Sequence, residues 1–348
     1  MISGKKPTID DVASLAGVGR TSVSRVLNNG PNVRPQLREK VLQAVKALNF
    51  KVNQQARSLA LGETKKIGII HASDFDKEPN SYYSAGIEIG ALRACSDLGY
   101  ALQTHSINQN SPKVFDLISD IILNNSYAGI ILTPPFCDDN NILKMAISNK
   151  FPTISISAGL KKNNLVPNIG IDEEKAGYEI TLNLINKGHK KFGYIQGIEK
   201  HLSAEQRYFG FLRAIKDANL SESEMLIKRG NFTFKSGIEL AQKIIESDNR
   251  PSALICANDD MAAGALFSAH KLGLKVPEDI SIVGFDDTPV SEIIWPPLTT
   301  VHQPLKEFGY AAVKTLVEII EKRVALDTCE SQLIDFIIVE RASAAQFG

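Results

Sequence analysis

The sequence predicts two folds in series: a small all-α unit of three short helices, then a larger α/β body built as two lobes. Three observations predict it. Apolar residues recur at helical spacing in three short runs within the first fifty residues. From Lys65 onward, short β runs alternate with amphipathic helical stretches in two successive series. Charge divides the same way: residues 1–66 hold twelve Lys/Arg and four Asp/Glu, a net of +8, which leaves −8 on the rest of a chain that is neutral overall. A basic end on an acidic body points to phosphate binding, although a solvated basic surface has the same composition.

Thr8-Ile9-Asp10-Asp11 reads as a capping box, with Thr8 as the N-cap and Asp11 reaching back from the third helical position. Ile9, Val12, Ala13 and Leu15 give this helix an apolar face. Gly17 falls where a tight interhelical turn needs a residue tolerant of positive φ. A second helix runs from about Gly19 to Leu27, burying Val23, Val26 and Leu27 and leaving Arg20, Thr21, Ser22 and Arg25 on its outer side. A third starts near Arg34-Pro35, where proline suits the first turn, and repeats Leu37, Val41, Ala44, Val45 and Leu48 along one face. Three short helices around one small core are a minimal DNA-reading unit. An arginine on its second helix can bind guanine O6 and N7 bidentately in the major groove. A generic three-helix bundle with surface arginines shares the pattern.

Read whole, Thr8 to Asn28, TIDDVASLAGVGRTSVSRVLN, resembles the headpiece of the lac repressor (LacI/GalR) family of bacterial transcription regulators. Asn53 to Ala60, NQQARSLA, resembles that family's hinge helix, and the likeness extends to about Arg341. The resemblance implies a helix-turn-helix headpiece over residues 1–50, a hinge helix and linker over 51–64, and a two-lobed effector-binding and dimerisation domain over 65–348. By motif position, Arg20 and Thr21 touch base edges, and Arg25 a base or a phosphate. Ser22, Ser24 and Asn28 position the DNA backbone. Asn53, Arg57 and Leu59 are the DNA-contacting positions of the hinge: Leu59 pries open a base step in the minor groove, and Arg57 reaches a phosphate or the narrow groove. Two departures stand out. Gly19 replaces the usual capping serine or threonine, and Val52 replaces a frequent proline before the hinge.

In the body, the first series of strands comprises Ile67–His71, Ala101–Ser106, Gly129–Thr133 and Thr153–Ser157. The second comprises Ile169–Ile171, Phe192–Gln196, Leu254–Ala257 and Ile280–Phe285, with helices such as Ala85–Leu98, Ala176–Asn186 and Asp259–Leu272 between strands. Nearly unbroken apolar strands joined by helices imply parallel sheets covered on both faces. Two such series imply two lobes with a cleft between them, where ligands sit beyond strand carboxyl ends. The resemblance implies the same architecture, the type I periplasmic-binding-protein fold. Helix capping is the expected role of Asp259, Asp260 and Asp287 at the strand ends. Asn258, Asp286, Arg207, Phe232 and Gln303 match effector-contacting positions of the family. Ser157 and Ser203 match more weakly, and Ser157 replaces an acidic residue common there. A carboxylate, an amide and a guanidinium over an aromatic ring suit a polyhydroxylated ligand such as a sugar; a purine would also stack on the ring.

Several classes are excluded or lowered. No run of about 18 apolar residues exists to span a bilayer. The first twenty residues show no secretory signal, so a cytoplasmic address is expected. Cys95, Cys137, Cys256 and Cys329 are far apart and are expected to be separate reduced thiols, without metal or cofactor. No G-x-G-x-x-G, Walker A, H-E-x-x-H or G-x-S-x-G motif appears, and the six histidines are dispersed. The Gly86-x-x-x-Gly90 spacing reads as close helix packing in a soluble helix. Two functions remain: an effector-controlled repressor of carbohydrate-use genes acting on double-stranded operator DNA, or a sugar-binding or sugar-converting α/β protein with an incidental basic head. One headpiece reads only a half-site and no leucine heptads follow Arg341, so the regulator is expected to be a homodimer.

Overall fold

The computed structural model describes residues 7–27, 33–48, 50, 64–73, 81–124, 126–159, 165–325 and 330–347. Asn28, Cys329 and the expected hinge, with Asn53, Arg57 and Leu59, lie outside the described residues. The chain divides into two compact units, Met1–Thr64 and Lys65–Gly348.

In the first unit, α1 (Ile9–Ala16) begins with both halves of the capping box formed between Thr8 and Asp11. Gly17 closes it in a left-handed conformation, φ 65°, its N–H turned back onto the carbonyls of the last turn. Helix α2 spans Arg20–Leu27, and α3 (Pro35–Ala47) starts with proline in its first turn. Val12, Ala13, Val23, Val26, Val41 and Ala44 form the core. Leu15 is not part of it and is more than half exposed. At about 100° per residue, Leu15 falls about 110° from the middle of the arc set by Ile9, Val12, Ala13 and Ala16, so it faces away from α2 and α3.

The second unit holds two parallel sheets. Strands β1 (Lys66–Ser73), β2 (Ala101–Asn108), β3 (Gly129–Leu132), β4 (Thr153–Ile156) and β5 (Asn168–Gly170) build the first. Helices α4 (Ser81–Leu98), α5 (Val114–Leu123) and α6 (Asn140–Ser148) alternate with them. After α7 (Glu173–Asn186), the second sheet takes β6 (Phe192–Gln196), β7 (Leu226–Arg229), β8 (Ala253–Cys256) and β9 (Ser281–Val283). Its helices are α8 (Leu202–Asp217), α9 (Phe234–Ile245) and α10 (Asp259–Lys271). The chain returns through a short α11 (Val290–Ile293) and β10 (Thr300–His302) to α12 (Leu305–Ile320), then β11 (Gln332–Leu333) and β12 (Ile337–Val339).

The first sheet runs β11-β5-β4-β3-β1-β2, the second β7-β6-β8-β9, and β10 pairs antiparallel with β12. Strand β5 therefore belongs to the first sheet, not to the second as the order of runs suggested. Ser155 of β4 registers with Asn168, and the chain changes lobe only after Gly170. Strand β7, half-exposed and carrying Lys228 and Arg229, and the short β10 to β12 have no strong sequence signal.

Three helix pairs cross backbone to backbone at reciprocal glycines. Gly90 and Gly309 join α4 to α12, Gly177 and Gly210 join α7 to α8, and Gly237 and Gly264 join α9 to α10. A Cβ at any of the six would collide with a carbonyl oxygen of the partner helix. The Gly86-x-x-x-Gly90 spacing thus serves close packing, as its sequence suggested. The α7–α8 crossing sets the backbone of Arg207 directly against Gly177, which fixes where that arginine emerges. Cys95, Cys137 and Cys256 are buried free thiols.

Candidate functional site

The DNA-reading face is α2. Arg20, Thr21 and Arg25 are exposed on it, while Ser22 and Ser24 are half-buried beside the core residues Val23 and Val26. The Gly19 carbonyl accepts from the N–H groups of Ser22 and Val23, but a glycine offers no capping side chain to this helix. Arg20 lies 3.5 Å from Asp10, an ion pair open to water on both sides and therefore easily exchanged for a phosphate or base edge.

In the second unit, a cavity of about 160 Å³ opens between the lobes. The first lobe contributes His71, Tyr83 and Thr133, and the second His201, Arg207, Asn231, Phe232 and Asp286. The lining residues of β1 and the loops after β3 and β7 sit at strand carboxyl ends, where a doubly wound fold leaves polar groups unpaired.

Arg207 is the centre of the site and only 3% exposed. Its Nε and Nη2 donate to the two oxygens of Glu173 at 2.7 and 3.3 Å, and Nη1 donates to the Ala257 carbonyl at 2.8 Å. Nη1 also lies 3.6 Å from Asp286 Oδ1, and the guanidinium carbon sits 3.8 Å from the Phe285 ring centroid. Burial works against the arginine's charge, but Glu173 and Asp286 hold its pKa above the usual range. Asp286 accepts from Gln303 Nε2 at 2.6 Å. Burial pushes its pKa up to about 7; Arg207 and the Gln303 hydrogen bond oppose that shift, and Glu173 adds to it. His201 is driven the other way, to about 3, by burial and then by Arg207, so it is neutral where its ring meets Phe232 edge-on at 4.9 Å.

Of the seven positions expected to meet an effector, Arg207, Phe232 and Asp286 line the cavity together. The other four stand behind them. Ser157 accepts the Tyr83 hydroxyl at 3.0 Å, Ser203 contacts His201 Nδ1 at 3.1 Å, and Gln303 holds Asp286. Asn258 caps α10 through the Met261 N–H and donates to the Phe232 carbonyl, so both ends of its amide are occupied. Ser157, Phe232 and Asp286 all have positive φ, at 52°, 66° and 112°. For non-glycine residues such backbone costs about 1–3 kcal/mol each, a strain that clusters at ligand sites.

The capping roles expected of three aspartates are corrected. Asn258 is the cap of α10, and Asp259 is instead a buried acceptor for the Thr288 N–H, the Thr288 hydroxyl and the Thr300 hydroxyl. Asp260 lies in the first turn behind that cap. Asp287 does not cap α11; it pairs with Arg341 at 2.8 Å, accepts from the Ser291 hydroxyl and meets His302 Nδ1. Sequence reasoning missed Tyr83 and Glu173. Glu173 was hidden because an acidic residue in a first helical turn is already explained by the helix dipole.

A three-helix unit with an exposed arginine-bearing second helix, joined to a two-lobed α/β body with a buried polar cleft, defines a DNA-binding regulator with a ligand-binding domain. Residues 8–53 match the family described as bacterial regulatory proteins, lacI family, and residues 181–344 match a periplasmic binding protein-like domain. Catabolite control protein A of Priestia megaterium is 31% identical, over 94% of this chain and 95% of its own. The HTH-type transcriptional repressor PurR of Histophilus somni (strain 129Pt) is 34% identical, with the same coverage. Among solved structures, the lac repressor dimer bound to operator and the anti-inducer ONPF superposes with a TM-score of 0.80 at 25% identity, covering 98% of this chain and all of that one. The transcriptional regulator CelR–cellobiose complex gives 0.74 at 27% identity, covering 97% and 100%. The chain belongs to the LacI family of bacterial transcription regulators.

Proposed function

We propose that this protein is a cytoplasmic homodimeric repressor, not an enzyme, whose affinity for operator DNA is set by a small sugar or glycoside in the cleft between its lobes. The observation that carries the reading is the convergence of Arg207, Asp286 and Phe232 on one cavity. A guanidinium and a carboxylate pair hydroxyls from both sides, and a ring covers an apolar sugar face. Residues 1–50 read the operator, 51–64 link, and 65–348 bind effector and dimerise. Arg20 and Thr21 contact base edges, Arg25 a base or phosphate, and Ser22, Ser24 and Asn28 the DNA backbone. Asn53, Arg57 and Leu59 serve the hinge, with Leu59 as the minor-groove wedge. Ser157, Ser203, Asn258 and Gln303 act by holding Tyr83, His201, Phe232 and Asp286 in place.

Dimerisation has support in the surface. Tyr82, Ile89 and Leu92 on α4 and Phe115, Leu117 and Leu123 on α5 are large apolar side chains left exposed in the single chain. The cellobiose bound by CelR and the operator bound by the lac repressor dimer support the ligand and DNA classes. The test is an operator titration with and without a panel of mono- and disaccharides and nucleobases. A sugar should shift the titration by a coupling of about 1–3 kcal/mol. A shift by a nucleobase alone would reassign the ligand. DNA affinity indifferent to every ligand that binds the cleft would end the allosteric reading.

A further inference from the structure

Resting on the effector-cleft reading above, we infer that Glu173 makes the cleft refuse anionic ligands, so that neutral sugars or glycosides are bound and their phosphorylated or carboxylated counterparts are not. Arg207 is the only lysine or arginine that lines the cavity among the described residues, and an anionic ligand would need it. It is already matched. Both Glu173 oxygens accept from the guanidinium, the two-point geometry of a carboxylate, and the pair is buried to within a few per cent. Burial raises the Glu173 pKa, and the charge and hydrogen bonds of Arg207 oppose that shift. Asp286 then stands 3.6 Å from the same guanidinium as a second acid. With Asp286 protonated the trio is neutral, and with Asp286 ionised it carries one negative charge. In neither state does it present a net cation.

Among the described residues, the two histidines of the lining give an anion no second cation. His71 faces the Glu88 carboxylate at 3.3 Å and the Thr133 hydroxyl at 3.2 Å, so any charge on it is countered. His201 is held neutral by burial and by Arg207. Three helix N-termini on the second-lobe side of the site are capped from within: Asp172 on the Lys175 N–H, Thr233 on Ser236 and Asn258 on Met261. Helix α8 has no side-chain cap, but Glu205 in its first turn bonds the Lys200 N–H and sets a negative charge there. A hydroxyl needs none of this. It can donate to Asp286 and lie against Phe232 without bringing charge beside a buried ion pair.

The experiment is calorimetry on the full chain with matched ligand sets. Glucose, galactose, N-acetylglucosamine and trehalose are each titrated beside their 6-phosphates, with glucuronate and galacturonate added. The neutral member of a binding set should bind at least tenfold tighter than its phosphate or uronate. Glu173→Gln, which frees the guanidinium while keeping one acceptor, should narrow that ratio by at least tenfold. The wild-type panel decides even if E173Q does not fold, as circular dichroism would reveal. A phosphate or uronate that binds the wild type as tightly as its neutral parent overturns the inference and leaves the sugar reading standing. An unchanged ratio in folded E173Q also overturns it. No binding by any carbohydrate, neutral or charged, removes the sugar reading and this inference together.

Discussion

Replacing Asp286 by asparagine should stabilise the protein above pH 7 while weakening its response to effector. The side chain is buried, and burial, only partly offset by Arg207 and Gln303, lifts its folded pKa from 3.8 to about 7. Between those two values the folded chain keeps a proton that the unfolded chain has lost. Stability from this residue is therefore complete below about pH 4, declines as pH rises towards 7 and is flat above. Each pK unit between the two states is worth about 1.4 kcal/mol, so the ionised carboxylate withholds up to about 4 kcal/mol from the fold at pH 8. Asparagine copies the neutral acid: it keeps an oxygen for Gln303 Nε2 and never ionises. Urea unfolding of both proteins at pH 5, 6, 7 and 8 should show a gap in favour of D286N that widens with pH, reaching about 2–4 kcal/mol. A variant no more stable than wild type at pH 8, or a gap equal at pH 5 and pH 8, would refute the reasoning. Calorimetry should show effector affinity falling tenfold or more, because a charged acceptor is worth about 1.5–3 kcal/mol in such a site.

Arg20→Ala should cost about 1–3 kcal/mol on the operator and relax preference at one base pair per half-site; an equal loss on random DNA across a salt series would make the contact one to phosphate instead. Thr8→Ala removes the cap of α1 and should lower the stability of the headpiece by about 1 kcal/mol, read from its thermal unfolding within the full chain. Gly309→Ala sets a methyl group against the Ile87 carbonyl and should destabilise the body by about 1–3 kcal/mol in urea, whereas Gly273→Ala, with open space around it, should act through backbone strain alone. Leu59→Ala should reduce DNA bending, measured by circular-permutation gel shift, and leave effector affinity unchanged.

What the sequence disclosed followed the range of the interactions involved. Thr8, Asp11 and Gly17 are legible because a cap and a turn are settled within four residues. Strands buried on both faces, such as Phe192–Gln196, announce themselves by composition. The sheet to which Asn168–Gly170 belongs does not, because a three-residue parallel strand takes its identity from a partner chosen elsewhere in the chain. The cleft showed the same division. Arg207, Phe232 and Asp286 could be placed by motif position, but the grip of Glu173 on Arg207 depends on two helices meeting at Gly177 and Gly210. Asp259 does not take the cap expected of it because neighbouring residues at a strand end point to opposite sides, Asn258 to the cap and Asp259 to Thr288 and Thr300.

The connections between the lobes carry more than the chain. Glu173 stands three residues beyond the end of β5, where the chain first leaves the first sheet. Asp286 and Gln303, bonded to each other, flank the stretch by which it returns. The groups proposed to meet the ligand therefore sit beside the crossings between the lobes, where a rotation of one lobe on the other would have its fulcrum. A lever worked at its fulcrum turns a small local travel into a large one at its ends. The separation of 3.6 Å between Arg207 and Asp286 has room to shorten to about 2.8 Å. A ligand that closed or widened that gap by less than an ångström would be read out as a larger displacement at the outer edges of the lobes.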